Sequence, residues 1–497
     1  MEKFKKWIET RKEEIFTYGI ILIICLIMCA PLLQFHIASD TYNFMDLGYF
    51  EYPLQYFLKD ARLVSTICSY IAGFLNLPFE VFIILMEIFA VIFSSISIYL
   101  IYSTVKNKLK LSSIWKKILL IMASFIVVFN CMSLEYLLYA ESGVMCLSLT
   151  LSILAAKVVS EKKKHKYLKA ILIMIIATFC YQGAVNVFLP LAILFIFLNT
   201  DNLKVKDIVK QIACACGIII ISYIVNVVSI YIINIILGTA QARVGGGILE
   251  NLMKFPLIIG YIVRNILIYN YNLWPIAIIP IFMAISVILL LFQENAVEKI
   301  IKYLVIVISA LGICIAPVFF MQTPSMEPRM AMSVGGIVGI SLIYLISLDY
   351  KYKTIKYIVS MIILGFFVYN VINTNQIYTA HIATNKIDDN MGIAIKYRLE
   401  EYEKETGNTV TKVAYYRDAS HRDFHYGWDK KYSSFAQRAF DNYYCIVEAL
   451  NYYCNRKFED VPMSQKVYDE NFKGKNWNAY SDEQLVFIED TMYICTY

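Results

Sequence analysis

The feature that most constrains this chain is a series of apolar runs, each near the length needed to cross a hydrocarbon core of roughly 30 Å. The first, from about Ile15 to Ile37, follows a basic stretch carrying Lys3, Lys5, Lys6, Arg11 and Lys12. With 59% hydrophobic and 17% charged residues over 497 positions, the chain lies outside the range of soluble globular proteins and reads as a polytopic α-helical membrane protein. Lysines and arginines collect in the cytoplasmic loops of such proteins, so the net charge of +6 follows from topology and calls for no nucleic-acid partner.

Ten further spans are expected near 79–102, 118–134, 142–159, 168–182, 183–198, 211–237, 273–292, 303–321, 331–348 and 357–373. With about eleven transmembrane helices and a cytoplasmic N-terminus, the loops at 103–117, 160–169, 199–210, 293–302 and 349–356 are cytoplasmic. They contain clusters such as Lys106, Lys108, Lys110, Lys116, Lys117 and Lys162, Lys163, Lys164, Lys166, while the outer loops hold only Lys59, Arg62, Arg243, Lys254, Arg264 and Arg329. That asymmetry supports the orientation. Leu63–Leu77 and 257–272 suit helices lying on the outer interface. The bulky Met28 before Cys29 does not suit lipoprotein cleavage, and no small-x-small site follows the first run, so it is expected to remain as an anchor.

From about Thr374 the composition turns polar, which divides the chain into a membrane domain, 1–373, and an extracytoplasmic domain, 374–497. A helix over Asp388–Thr406, a strand over Lys412–Tyr416, an amphipathic helix over Ser434–Cys454 and strands within Leu485–Cys495 give a small α/β domain. Cys445 and Cys454 stand nine residues apart on one expected helix, too far for a disulfide unless it breaks. Most other cysteines lie in apolar runs, where the residue acts as a small hydrophobe. There is no CxxC, Walker loop, HExxH or GxSxG.

Chemistry is first expected in Ala38–Arg62, where Asp40, Asp46, Glu51, Asp60 and Arg62 follow the first span. Asp40 comes three residues after the span, at the surface where a lipid-linked headgroup would be presented, and a carboxylate there can act as general base. Asp46 is the nearest substitute. The two acids leave room for a divalent metal without specifying one, and no cofactor is implied. Asp60 with Arg62 also reads as a local ion pair. Arg243, Arg264 and Arg329 offer planar donor forks suited to phosphate oxygens. Tyr181-Gln182, Glu135 and Glu141 lie at outer turns and are candidates for sugar or acceptor contacts. Glu80 and Glu87, at helical spacing, are expected to share an inward face.

The acidic stretch ending LKDARL, the turn FCYQGAVNVF, the late loop EPRMAM and the segment TNKIDDNMGIAIKYRLEEYEKETGNTVTKVAYYRD together resemble the bacterial multi-spanning glucosyltransferases that modify O-antigen and other cell-surface polysaccharides, a branch of the GT-C superfamily. The resemblance implies a GT-C-like fold in the bacterial plasma (inner) membrane, a polyprenyl-phosphate-sugar donor and a polysaccharide or glycolipid acceptor. It also implies an inverting transfer, with glucose the expected sugar, Asp40 as base, and Arg62 and Arg329 at the donor phosphate. One departure is that Ala61 stands where the pattern has glycine before the arginine. A Wzy-type polysaccharide polymerase and a lipid or glycan flippase are the rival readings.

Overall fold

The computed structural model describes residues 11–199, 204–239, 278–317, 327–417, 438–475 and 480–496, together with 253, 255, 256, 260 and 477. In chain order the helices of the apolar part are α1 (Lys12–Cys29), α2 (Ser39–Tyr52), α3 (Leu63–Phe74), α4 (Phe79–Leu109), α5 (Ile114–Val128), α6 (Ser142–Ser160) and α7 (Lys166–Cys180). They continue as α8 (Phe188–Phe197), α9 (Val205–Leu237), α10 (Ile278–Leu291), α11 (Ala296–Ile315), α12 (Met332–Ile346) and α13 (Lys353–Thr406). Among the described residues five segments are long and apolar enough to cross a membrane: Lys12–Leu32, which is α1 with the turn after it, and α4, α6, α9 and α13. Segment 257–272, expected as a second surface helix, falls outside the described residues except at Gly260.

The surface of this bundle is apolar where a soluble protein's would be polar. Phe16, Ile23 and Ile27 on α1 and Ile220, Ile224, Ile235 and Ile236 on α9 are all exposed. On α3 the ordinary pattern is inverted, since Ser65, Thr66, Ser69, Ala72 and Gly73 face the protein while Ile67, Ile71 and Phe74 face out. Such a surface is stable only against a medium as apolar as itself. Inside, α4 packs on α6, α6 on α7 and α12 on α5. Gly339 lets α12 approach α5 closely, because a Cβ there would meet the Val127 backbone nitrogen and the Ala123 carbonyl.

The polar part is built on α13. This helix runs without a break for 54 residues, so the boundary expected near 374 lies inside a continuous helix and is not a linker. After it come β1 (Lys412–Arg417), α14 (Ile446–Cys454), β2 (Glu459–Asp460), α15 (Gln465–Asn471), β3 (Leu485–Ile488) and β4 (Thr491–Thr496). The sheet order is β2-β1-β4-β3, with β1 parallel to both its neighbours and β3 antiparallel to β4. The expected small α/β unit is present. Its amphipathic helix begins only at Ile446, because Asn442 is extended and a single turn at Ala439–Asp441 precedes it. Cys445, Cys454 and Cys495 are buried.

The tail has a small core of its own, Val467, Phe472, Trp477 and Cys495, but its larger cluster is shared with the apolar part. Ile37 and Tyr42, at the start of α2, join Met391, Ile395 and Leu399 of α13, Val413 of β1 and Ile446 and Leu450 of α14 in one buried cluster. Two hydrogen bonds fix this seam: Tyr42 with Tyr453 (2.9 Å), and Tyr453 donating to Asp389 (2.7 Å). Gly392 makes room for the Tyr453 ring, which occupies the space a Cβ would take. Gly392→Leu is therefore expected to destabilise the protein by about 1–3 kcal/mol through overpacking, read as a lower thermal unfolding midpoint in detergent.

Where α13 ends, Arg456 grips Glu403 with both terminal nitrogens, at 2.6 and 3.1 Å, and holds its carboxyl below the usual range. A carboxyl depressed in the folded state stabilises above its unfolded pKa, and that contribution is lost as pH falls through the folded value. Glu403→Gln should cost about 1 kcal/mol at neutral pH, with the difference from wild type shrinking below about pH 4 in unfolding measurements.

Candidate functional site

Charged side chains from distant segments meet at the tail-domain end of the apolar bundle. Arg329, on the single turn Pro328–Met330 before α12, pairs with Glu135 on the turn Leu134–Leu138 between α5 and α6. Its backbone N–H donates to the other Glu135 oxygen (3.1 Å) and its Nη1 to Tyr139 Oη (2.6 Å), which in turn donates to Glu135 (2.8 Å). Tyr136 Oη donates to the Arg329 carbonyl at 2.7 Å. Glu135 is 2% exposed, so this network fixes the arginine from both its backbone and its side chain. Burial works against the guanidinium charge, but Glu135 first among the side chains, and Asp40 further off, hold it more firmly protonated than usual.

The second arginine stands beside the first. Arg62 precedes α3 and reaches Glu141, just before α6, at 3.2 Å and Asp60 at 3.5 Å. Its guanidinium lies 5.1 Å from the centre of the Tyr181 ring. Asp60 is thus a local partner of Arg62, as expected, but Glu141 holds the same arginine from another helix. Burial pushes the Glu141 carboxyl up, offset in part by Arg62. The Arg62 Nε is buried with no hydrogen-bond acceptor among the described residues, an orphan donor of the kind that marks an unfilled contact. Gln182 Nε2 donates to the Asp60 carbonyl at 2.5 Å, tying the α7–α8 turn to this loop. The departure from the glycine pattern has a structural meaning, because Ala61 adopts the left-handed conformation (φ 53°) that glycine adopts without strain.

Asp40 does not lie on a loop. It sits in the first turn of α2, half-buried, and accepts a hydrogen bond from Tyr444 of the tail domain. Its charge reaches Arg329, Glu141 and Tyr139. Asp46 is turned elsewhere: six residues on, it lies about 240° around the helix, where Asn451 (3.0 Å) and Lys457 (3.2 Å) of the tail bind it. The two acids therefore do not converge, and among the described residues no group of three or more His, Cys, Asp or Glu is arranged to hold a metal. Arg243 and Arg264 lie outside the described residues.

Several members of the site have no mark in the sequence. Tyr136, Tyr139 and Tyr444 are three of 38 tyrosines, and only their partners single them out. Asn186 donates to the Met330 carbonyl (2.9 Å) and accepts from Tyr223 (2.6 Å), anchoring the Arg329 turn from α9. Below the site is a second polar group. Glu87 on α4 is fully buried 3.6 Å from His36, whose other ring nitrogen is 3.2 Å from His381 of α13. Glu80, expected on the same inward face as Glu87, is exposed.

Ala61 provides a direct test of the loop. Ala61→Gly relieves about 1 kcal/mol of left-handed strain and loses part of that gain with its buried methyl. It is expected to unfold at or above the wild-type temperature, while Ala61→Val, β-branched at positive φ, unfolds several degrees lower.

No protein-family model matches the chain, and no curated protein matches it.

Proposed function

We propose that the chain is a polytopic glycosyltransferase with a GT-C-like fold of eleven transmembrane helices. Its N-terminus is cytoplasmic and its tail domain stands outside a bacterial plasma membrane. It transfers a sugar, glucose being the first choice, from a polyprenyl-phosphate donor to a cell-surface polysaccharide or glycolipid. The observation that carries this reading is that Arg329 feels the Asp40 charge and has Arg62 as its neighbour at one mouth of the apolar bundle, three residues from segments far apart in sequence. A half-buried carboxylate beside two clamped guanidiniums suits the removal of a proton at one point and the stabilisation of departing phosphate at another.

In the transfer, the acceptor hydroxyl gives its proton to Asp40 as its oxygen attacks the anomeric carbon of the donor sugar. The bond from that carbon to the phosphate oxygen breaks with inversion, and the polyprenyl phosphate leaves with the electron pair. Arg62 Nε, which has no acceptor among the described residues, donates to the phosphate, and Arg329 adds positive charge. Glu135 and Glu141 are positioning residues in this scheme, since each is engaged with an arginine. Tyr139 shares that role, and Tyr181 and Gln182 shape the wall beneath Arg62.

Asp40→Asn, reconstituted in liposomes with polyprenyl-phosphate glucose and surface polysaccharide, is expected to lose transfer by about 10²–10⁴-fold with unchanged expression. Asp46→Asn should retain most activity. A wild-type rate in the Asp40 variant would remove the base assignment.

A further inference from the structure

Beside the charge cluster, a cleft of about 300 Å³ opens on the seam between α2 and the tail domain. Asp46, Glu448, Asn451, Tyr452, Arg456 and Lys457 line it. Its cations are already neutralised, Lys457 by Asp46 and Arg456 by Glu403, so the cleft offers no surplus positive charge to an anion. Glu448 forms no ion pair among the described residues and faces the opening half-buried. Next to it, Tyr452 keeps 37% of its surface exposed while Tyr42 and Tyr453 support its ring, with centroids 6.0 and 5.1 Å away. A carboxylate and amides that accept and donate to hydroxyls, beside a rigid aromatic face that takes an apolar ring face, form the lining a carbohydrate needs and a phosphate does not.

The position of the cleft adds a second argument. Both acids of α2 are bound by the tail, Asp40 by Tyr444 and Asp46 by Asn451 and Lys457, so the cleft and the base adjoin one seam. Tyr56, itself exposed, feels both the Glu448 and the Asp40 charge. Tyr444, bonded to Asp40, and Tyr443 extend the exposed aromatic surface on the tail side. The geometry points to an oligosaccharide subsite. The acceptor glycan lies along α2 with its reacting residue at Asp40 and its preceding residues in the Asp46–Glu448–Tyr452 cleft, so the tail domain sets acceptor specificity. This inference rests on the proposed transferase reading for its direction, but the binding itself can be measured independently.

The full-length protein in nanodiscs is titrated with a fluorescently labelled oligosaccharide released by mild acid from the surface polysaccharide of the cells that make the protein. Wild type is expected to bind, and Glu448→Gln and Tyr452→Ala to bind at least tenfold more weakly with unchanged thermal unfolding. Glu448→Gln alters one acceptor atom at the surface and keeps the side-chain shape, so it serves even where Tyr452→Ala fails to fold. Absence of wild-type binding at millimolar oligosaccharide, or binding by Glu448→Gln within twofold of wild type, overturns the subsite. Full transfer by Asp40→Asn would instead remove the catalytic reading and leave the binding result to decide the cleft.

Discussion

The mouth of the bundle depends on pairing two half-buried arginines with buried carboxylates contributed by distant segments. Taking a guanidinium and a carboxylate out of water costs several kcal/mol per ion, and the cost is offset only when both partners are held in good geometry with further hydrogen bonds. Arg329 meets that condition through Glu135, Tyr139 and its own backbone, and Arg62 through Glu141 and Asp60. The two pairs join the α5–α6 connection, the start of α3 and the start of α12. Because each arginine is locked, its charge is in place before any ligand arrives, which is the preorganisation that makes electrostatic stabilisation effective.

The clamp on Arg329 extends outward through backbone groups. Asn186 holds the Met330 carbonyl and is itself held by Tyr223, so α9 braces the turn that carries the arginine. From α2, the chain leading to Asp40 is fastened in the same manner. Asn385 of α13 accepts from the Ile37 amide at 2.6 Å and donates to its carbonyl at 2.9 Å, while His36 packs against His381. Polar contacts between the α1–α2 connection and α13 therefore hold the chain leading to Asp40, and Tyr444 binds Asp40 from the tail.

Much of the scaffold was legible in the sequence, because the apolar runs and the lysine clusters between them answer to composition alone. Among the described residues helices stand at the expected runs, five of them long and apolar enough to cross a membrane, and α3, β1 and the β3–β4 hairpin fall where their patterns place them. The pairings were not legible. Glu135 and Arg329 are 194 positions apart and Asp40 and Tyr444 are 404 apart, and no local pattern encodes such meetings. Ala38–Arg62 reads as an acidic loop from its charges but folds as α2, because aromatic residues such as Tyr42, Phe44, Tyr49 and Tyr52 find a buried face once the tail and α4 close on it. Asp46 looked equivalent to Asp40 by type and was separated from it only by helical phase and by Lys457.

The unbroken course of α13 has a mechanical consequence. Fifty-four helical residues reach about 80 Å, far more than the roughly 30 Å of a hydrocarbon core. A helix of that length behaves as a shaft, and any tilt or rotation of its membrane-embedded end is transmitted to the sheet it carries. The angular setting of the tail over α2 is therefore written in residue count. One residue added to the shaft would turn the tail by about 100° and raise it by about 1.5 Å, carrying Tyr444 and Tyr452 away from the helix they face.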